Sequence, residues 1–300
     1  MGAPVPNNAN EFIEQQLNGR LLGIAEKFPH PEPCDALSFS GPLLLGTDSI
    51  MRDAIERLKA GSEHNRLIVV LTTRGGYIEP VRRMVDTMRA HYPVVDFIVP
   101  DYAYSAGTVL AMSGDSIYMD YFSRLGPIDP QEEIRGTKKL VPALGYLEQY
   151  NRLIKKAEAN KITLAEIQLL VEGFDQAELY QYEHERELSI ALLRQWLATY
   201  KFKNWTITET RQLEVTDAMR ETRAEEIASA LNDIERWHTH GHGISKDVLN
   251  NDLKLKIDDF RATEGQSQSV REYYDLLSDY MAVRKCKGVV HTKCAYEPFM

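Results

Sequence analysis

The apolar positions of this chain follow different patterns in its two halves. From residue 36 to about residue 140, short continuous apolar runs alternate with amphipathic helical patterns, as in Leu67–Thr72, then Glu79–His91, then Val94–Val99. Continuous apolar runs are typical of strands buried on both faces, and helices between such runs are typical of crossovers between parallel strands. This part of the sequence therefore predicts a parallel α/β core.

After Val141 the pattern changes to long, charged, amphipathic stretches, and no run there has the composition of a buried strand. The apolar periodicity predicts helices instead, of which the last covers Val270–Arg284. These changes predict four parts along the chain: an N-terminal arm (1–35), the α/β core (36–140), a helical extension (141–261) and a C-terminal tail with one helix (262–300).

Charge and composition exclude several classes of protein. The formal net charge is −9, which argues against a general nucleic-acid or anionic-membrane binder, because phosphate contacts need clustered Lys and Arg. The three cysteines have the spacing of neither a disulfide framework nor a zinc site. No stretch approaches the roughly 18 to 20 consecutive apolar residues of a membrane span, and the polar start lacks the apolar stretch of a secretory signal. We expect a cytoplasmic protein without a membrane span, a metal or a cofactor.

Two motifs of small residues each follow a predicted buried strand and precede a helix. Gly75 and Gly76 allow a sharp turn whose N–H groups are free to bind an anionic oxygen, although an ordinary turn would have the same sequence. Ser105 opens the next apolar helix, with Ala106 and Gly107 behind it, and is either a nucleophile or an N-cap. Because ligands bind at the carboxyl ends of parallel strands, both motifs should face the same end of the sheet.

Four motifs follow one another along the predicted core: Ser40-Gly41-Pro42-Leu43, Gly75-Gly76, Ser105-Ala106-Gly107 and Ser123-Arg124-Leu125-Gly126-Pro127-Ile128-Asp129-Pro130. Their order and spacing resemble the signature of the ClpP and signal peptide peptidase superfamily, which has a crotonase-like fold. The Gly-Pro-Ile-Asp-Pro-Gln that ends at Gln131, together with the helical second half, resembles more narrowly the serine dehydrogenase proteinase family. This resemblance implies a serine endopeptidase with Ser105 as nucleophile, Gly76 and Ala106 as backbone oxyanion donors, and Gly75 shaping the turn.

The sequence leaves the general base open. Where ClpP-like enzymes have a histidine, the matching stretch of this chain offers Asp129, which could orient a base, line the substrate pocket or cap a turn. Signal peptide peptidases use a lysine placed further on, which must be desolvated to act as a base. A histidine cluster on a glycine-bearing turn is the other candidate source of the base. The alternative is that this turn only closes a helix. The candidates are Lys138, Lys139, Lys155, Lys156, His238 and His240.

Three functions are compatible with these residues. A serine peptidase would cleave a peptide or protein substrate through an acyl-enzyme on Ser105. A crotonase-type enzyme would use the paired N–H donors to hold a coenzyme A thioester, and the placement of Ser105 argues against it. A catalytically inactive scaffold or regulatory subunit would bind a partner through its helical half, which the missing histidine favours. We expect the peptidase, as a homo-oligomer, with an ATPase or regulatory partner as a further candidate.

Overall fold

The computed structural model describes residues 8–28, 32–128, 131–133, 140–208, 210–237 and 243–299. The strands within these ranges are β1 Cys34–Ser40, β2 Arg66–Thr72, β3 Val94–Ile98, β4 Tyr102–Ala103, β5 Ser116–Met119, β6 Arg124–Leu125, β7 Gln131–Glu133, β8 Leu140–Pro142, β9 Ile244–Ser245, β10 Asp258–Asp259, β11 Gly288–Thr292 and β12 Ala295–Phe299. The helices are α1 Ala9–Glu26, α2 Thr47–Ala60, α3 Glu79–His91, α4 Ala106–Ala111, α5 Ala143–Glu158, α6 Leu164–Glu172, α7 Gln176–Trp196, α8 Asp217–Leu231, α9 Ile234–Trp237, α10 Lys246–Asn251 and α11 Gln266–Arg284.

A seven-stranded sheet with the order β10-β5-β3-β2-β1-β11-β12 forms the centre of the fold. Neighbouring strands from β10 to β1 are parallel, whereas β11 and β12 are antiparallel to their neighbours. The mixed α/β fold with a mostly parallel sheet and many helices, which the sequence predicts, is therefore confirmed. A second, three-stranded sheet has the order β4-β6-β9 and lies beside the carboxyl ends of the central strands.

Both faces of the central sheet are covered by helices, which explains the continuous apolar runs. Alternate residues of β2 point to opposite faces, so that Val69 packs with helices α2 and α3 while Ile68 and Val70 pack with α1 and α11. Helix α3 presents Val81 and Met84 to the sheet from one stripe at helical spacing. Burying one such side chain contributes about 1.5–3 kcal/mol, so these two layers favour folding strongly.

The structure corrects the prediction for the C-terminal part of the chain. The expectation that no buried strand follows Val141 is wrong, because all five residues of β11 are buried beside β1. The run Gly-Val-Val-His-Thr was missed because it is only two apolar residues long. Val289 packs on one face of the sheet and Val290 on the other. Strands β10, β11 and β12 thus extend the sheet with residues from beyond the predicted core.

His291 of β11 connects three elements through two hydrogen bonds. Its Nδ1 lies 2.8 Å from the Tyr273 hydroxyl of α11, and its Nε2 lies 2.8 Å from Asn18 Oδ1 of α1. Because the amide oxygen only accepts, Nε2 carries the proton and Nδ1 accepts from the tyrosine. Burial lowers the pKa of His291 to about 4, so the ring is neutral at physiological pH.

Helix α2 begins without a side-chain cap, because Gly46 occupies its N-cap position. The Thr47 hydroxyl instead donates to Leu44 O at 2.7 Å, and Asp48 pairs with Arg83 at 2.8 Å. Across the described ranges, no helix has both the length and the apolar character needed to cross a bilayer.

Candidate active site

The two small-residue motifs meet at the carboxyl end of the central sheet. The segment after β2 pairs with β4, because Thr73 N donates to Tyr102 O at 3.0 Å and Tyr104 N donates to Thr73 O at 2.9 Å. On its other side the same segment pairs with the loop after β1, where Leu43 N donates to Gly75 O at 2.9 Å. The glycine pair is therefore fixed between two neighbouring segments rather than lying in a free turn.

Gly75 and Ser105 are in direct contact. Gly75 has a φ of +94°, and a Cβ at this position would lie 2.8 Å from Ser105 Cβ and 2.7 Å from Tyr104 O. Gly76 has a φ of +144° and packs equally tightly against the backbone of Leu43. Only glycine combines these positive φ angles with such close approaches, which gives the sequence motif a physical cause.

Ser105 has a strained backbone and does not cap the helix that it precedes. Its φ of 53° and ψ of −124° differ from the extended geometry of an ordinary N-cap, and its side chain makes no capping hydrogen bond. A non-glycine residue in such a region costs on the order of 1–3 kcal/mol, and such strain clusters at functional sites. A serine on a sharp strand-to-helix turn is also the arrangement of the nucleophile elbow of the α/β-hydrolases.

Thr108 holds this turn in place from inside α4. Its hydroxyl lies 2.7 Å from Ala103 O and 2.9 Å from Gly126 O, and it accepts a hydrogen bond from Gly126 N at 3.0 Å. The side chain is fully buried. Thr108 is not among the residues predicted from the sequence, although its hydroxyl is the one polar side chain in an otherwise apolar stretch and could have indicated a structural role. It ties the strand before Ser105 to the loop after β6.

The backbone N–H groups around Ser105 divide into bonded and free donors. Gly75 N donates to Thr73 Oγ1 at 3.0 Å, and Gly107 N donates to Tyr104 O at 2.9 Å. The N–H groups of Gly76 and Ala106 have no acceptor among the residues that the structure describes. They flank Ser105 on the chain segments that contact it, as donors for a substrate oxyanion would.

Two tyrosines and two arginines surround the segment that leads into Ser105. The rings of Tyr102 and Tyr104 stack with centroids 5.4 Å apart, and the Arg74 guanidinium lies 5.5 Å from the Tyr102 ring centroid. Burial, followed by the Asp101 carboxylate, raises the pKa of Tyr104, while Arg124 and Arg74 oppose this shift. The Tyr104 ring also packs on Gly126, where a Cβ would lie 2.7 Å from Tyr104 Cδ1.

Most of the candidate bases lie outside the described residues, namely Asp129, Lys138, Lys139, His238 and His240. Within the described part of the chain, the Ser105 hydroxyl has no hydrogen-bond partner. The two remaining lysines of the sequence analysis are on α5. Lys156 forms an ion pair with Glu166, and Lys155 is exposed to solvent. Neither environment desolvates an amine in the way that a neutral catalytic lysine requires.

The described ends of two of these segments lie near Ser105. Gly126, three residues before Asp129, contacts Tyr104, and Ile128 N donates to Leu231 O at 3.1 Å. Gly243, which follows the histidine cluster, packs against the Arg124 side chain and leads into β9, which pairs with β6.

Comparison with known proteins agrees with the family suggested by the four motifs. Residues 48–175 match the ClpP-like SDH-type serine proteinase family, so the resemblance is confirmed over this part of the chain. Uncharacterized protein MJ0137 of Methanocaldococcus jannaschii is 32% identical over 79 residues, which are 26% of this chain and 28% of the relative. Uncharacterized protein MJ1495 of the same organism is 25% identical over 173 residues, 57% of this chain and 54% of the relative. The chain thus spans about a quarter of the length of MJ0137 and about half of the length of MJ1495.

Proposed function

We propose that this chain, whose residues 48–175 match the ClpP-like SDH-type serine proteinase family, is a serine endopeptidase that acts through an acyl-enzyme on Ser105. The observation that carries the proposal is the strained Ser105, held in contact with Gly75 at the carboxyl end of the sheet. An N-cap serine would need neither the strain nor the contact.

In the proposed reaction, Ser105 Oγ attacks the carbonyl carbon of the scissile peptide bond and its proton passes to the general base. The carbonyl π electrons move to oxygen, and the N–H groups of Gly76 and Ala106 donate to the resulting oxyanion. One preorganised donor of this kind is worth about 2.7–4 kcal/mol in other serine hydrolases. When the intermediate collapses, the peptide C–N bond breaks and the amine takes the proton from the base. Water then hydrolyses the acyl ester by the same steps.

A serine hydroxyl reacts slowly unless a neighbour takes its proton, so the base decides whether this site is active. We propose that it belongs to the five candidates outside the described residues, with Lys139 and His240 as bases and Asp129 as base or orienting group. The alternative is a catalytically inactive scaffold that binds a partner through its helical half. It is favoured by one observation, the aspartate Asp129 at the place where ClpP-like enzymes have a histidine.

A fluorophosphonate probe tests the nucleophile. We expect wild-type protein to be labelled, and Ser105→Ala to abolish labelling with little change in thermal stability. Ser113→Ala is the matched control, because Ser113 lies just after the same helix and its hydroxyl donates only to Leu110 O. An unlabelled wild type between neutral and alkaline pH, with or without partners, would favour the scaffold.

The same probe identifies the base. We expect that one of Lys138→Ala, Lys139→Ala, His238→Ala, His240→Ala or Asp129→Asn slows labelling without unfolding the protein, because only the true base activates the hydroxyl. Full labelling rates in all five variants would remove these residues from the mechanism.

We also propose that the protein self-associates. Helix α6 carries no buried residue, and Leu164 and Val171 are 85% and 75% exposed, so its apolar side chains are left to solvent in a single copy. Light scattering at micromolar concentration should report an oligomer, and Leu164→Asp combined with Val171→Asp should weaken it. A wild-type monomer would contradict this proposal.

A further inference from the structure

Arg74 and Arg124 differ from other arginines near the carboxyl edge of the sheet. Arg83, Arg261 and Arg271 pair with carboxylates at 2.8, 2.7 and 2.5 Å. Arg74 and Arg124, by contrast, have no carboxylate within ion-pair distance among the described residues. In a protein with a net charge of −9, two arginines that both adjoin Tyr102 and have no carboxylate partner within the described ranges call for an explanation.

Both guanidinium groups are held in place by neutral partners. Arg124 Nη1 donates to the carbonyl oxygens of Tyr121, Phe122 and Ser123 at 2.8, 2.9 and 2.8 Å. Arg74 lies over the ring of Tyr102. Neutral hydrogen-bond acceptors and an aromatic face orient a guanidinium without cancelling its charge, so each keeps its attraction for an anion.

The position of these charges relates them to Ser105. Arg74 directly precedes Gly75, which contacts Ser105, and it stacks on Tyr102, which in turn stacks on Tyr104. Arg124 lies opposite Tyr102 in the pairing of β4 with β6, and both arginines oppose the rise that burial causes in the pKa of Tyr104. The Asp101 carboxylate adds to this rise in the pKa of Tyr104, and its Oδ2 accepts a hydrogen bond from the Tyr274 hydroxyl at 2.7 Å. The two positive charges therefore flank the aromatic stack that leads into the candidate nucleophile.

We propose that Arg74 and Arg124 bind a carboxylate of the substrate next to the scissile bond, so that the enzyme prefers peptides that carry this group there. The carboxylate comes either from an Asp or Glu side chain or from the free C-terminus of the peptide. This inference rests on the proposed function, because it concerns the substrate of the Ser105 site.

Internally quenched peptides of otherwise neutral sequence test the preference. Glu, Gln or Lys is placed in turn at each of the two positions on either side of the scissile bond, and a second set compares a free C-terminus with a C-terminal amide. At one position, or at the terminus, we expect the carboxylate to raise kcat/KM about tenfold over its neutral counterpart, the effect of a favourably placed charge in a partly exposed site. The set in which the effect occurs identifies the source of the carboxylate.

Charge-removal variants connect the preference to the two arginines. Arg74→Gln and Arg124→Gln should each reduce the ratio of the rates for the Glu and Gln peptides, or for the acid and amide, several-fold. Arg82→Gln is the control, because it removes the same charge from an exposed position on α3. The preference should also weaken as ionic strength rises from about 0.05 M to about 0.5 M, since the Debye length then shortens about threefold.

Fluorophosphonate labelling separates the two possible failures. If Ser105 is labelled but no peptide shows a preference for the carboxylate, this inference is overturned and the proposed function stands. If the preference exists but is as strong in Arg74→Gln and Arg124→Gln as in Arg82→Gln, these arginines are not its cause, and the inference again fails. If Ser105 is not labelled at all, the proposed function and this inference fail together.

Discussion

The contact between Gly75 and Ser105 can be tested with a matched pair of glycine substitutions. Gly75 and Gly46 have the same φ of +94°, so an alanine at either position must adopt a left-handed φ. Their surroundings differ, because a Cβ at Gly46 would have no atom within 4 Å, whereas a Cβ at Gly75 would meet Ser105 and Tyr104 O below 3 Å. The difference between Gly75→Ala and Gly46→Ala therefore isolates the contact from the strain.

The expected magnitudes follow from these distances. Left-handed backbone costs an alanine roughly 1–2 kcal/mol, which applies to both variants. At position 75 the Cβ must also displace neighbouring atoms, and overpacking of this kind lowers the free energy of unfolding by about a further 1–3 kcal/mol. The atom displaced belongs to Ser105 itself, and a misplacement of about 1 Å in a catalytic group can reduce a rate on the order of 100-fold.

Urea unfolding and the rate of fluorophosphonate labelling together measure both effects, at a temperature where all variants are folded. We expect Gly46→Ala to be mildly destabilised and labelled at the wild-type rate. Gly75→Ala should be less stable than Gly46→Ala and labelled on the order of 100-fold more slowly. Equal stabilities and equal labelling rates in the two variants would show that the contact with Ser105 does not hold the site in place.

Three further predictions concern single residues. The free energy of unfolding should be about 1 kcal/mol higher for Ser105→Gly than for Ser105→Ala, because glycine adopts the positive φ without strain. Equal urea midpoints would argue against strain at this position. Thr108→Val should lower the free energy of unfolding by about 1–3 kcal/mol and slow labelling, because it leaves buried backbone groups unpaired. An unchanged labelling rate would show that this hydroxyl does not position the turn. The pKa of His291 is about 4 in the folded protein and near 6.5 in the unfolded chain, so the free energy of unfolding should fall by about 1.4 kcal/mol per pH unit as pH decreases between these values. His291→Gln should flatten this slope in urea unfolding measured across that range. A slope unchanged from wild type would contradict the assignment.

Regular elements with a continuous pattern could be predicted from the sequence almost to the residue. The bounds of α3 agree with the prediction Glu79–His91, and β2 begins one residue before the predicted Leu67–Thr72, because both segments bury an apolar stripe or run that local spacing reveals. Strand β11 could not be found in the same way. Its burial depends on β1, more than 240 residues away, and the ring of its His291 is paired with Tyr273 and Asn18, which only the fold brings to it.

The candidate site shows the same division between local and nonlocal information. The glycine pair and the serine could be found because backbone turns restrict residue type locally. The backbone angles of Ser105 and the contact with Gly75 depend on how β2, β4 and α4 pack, which no local pattern encodes. The role of Thr108 is of this kind too, since its partners lie on two other segments.

The place of β11 in the sheet has a consequence for how the protein folds during synthesis. Strand β1 is translated early, but its hydrogen-bonding edge remains open until residues 288–292 have been made. At translation rates of about 5–20 residues per second, the ribosome needs roughly 12–50 s to cover that interval. During this time the elements that bear Ser105 and the glycine pair can already assemble, while the opposite edge of the same sheet presents unpaired backbone groups to other nascent chains. The edge of β1 is therefore open to such pairing for longer than the elements of the candidate site take to be synthesised.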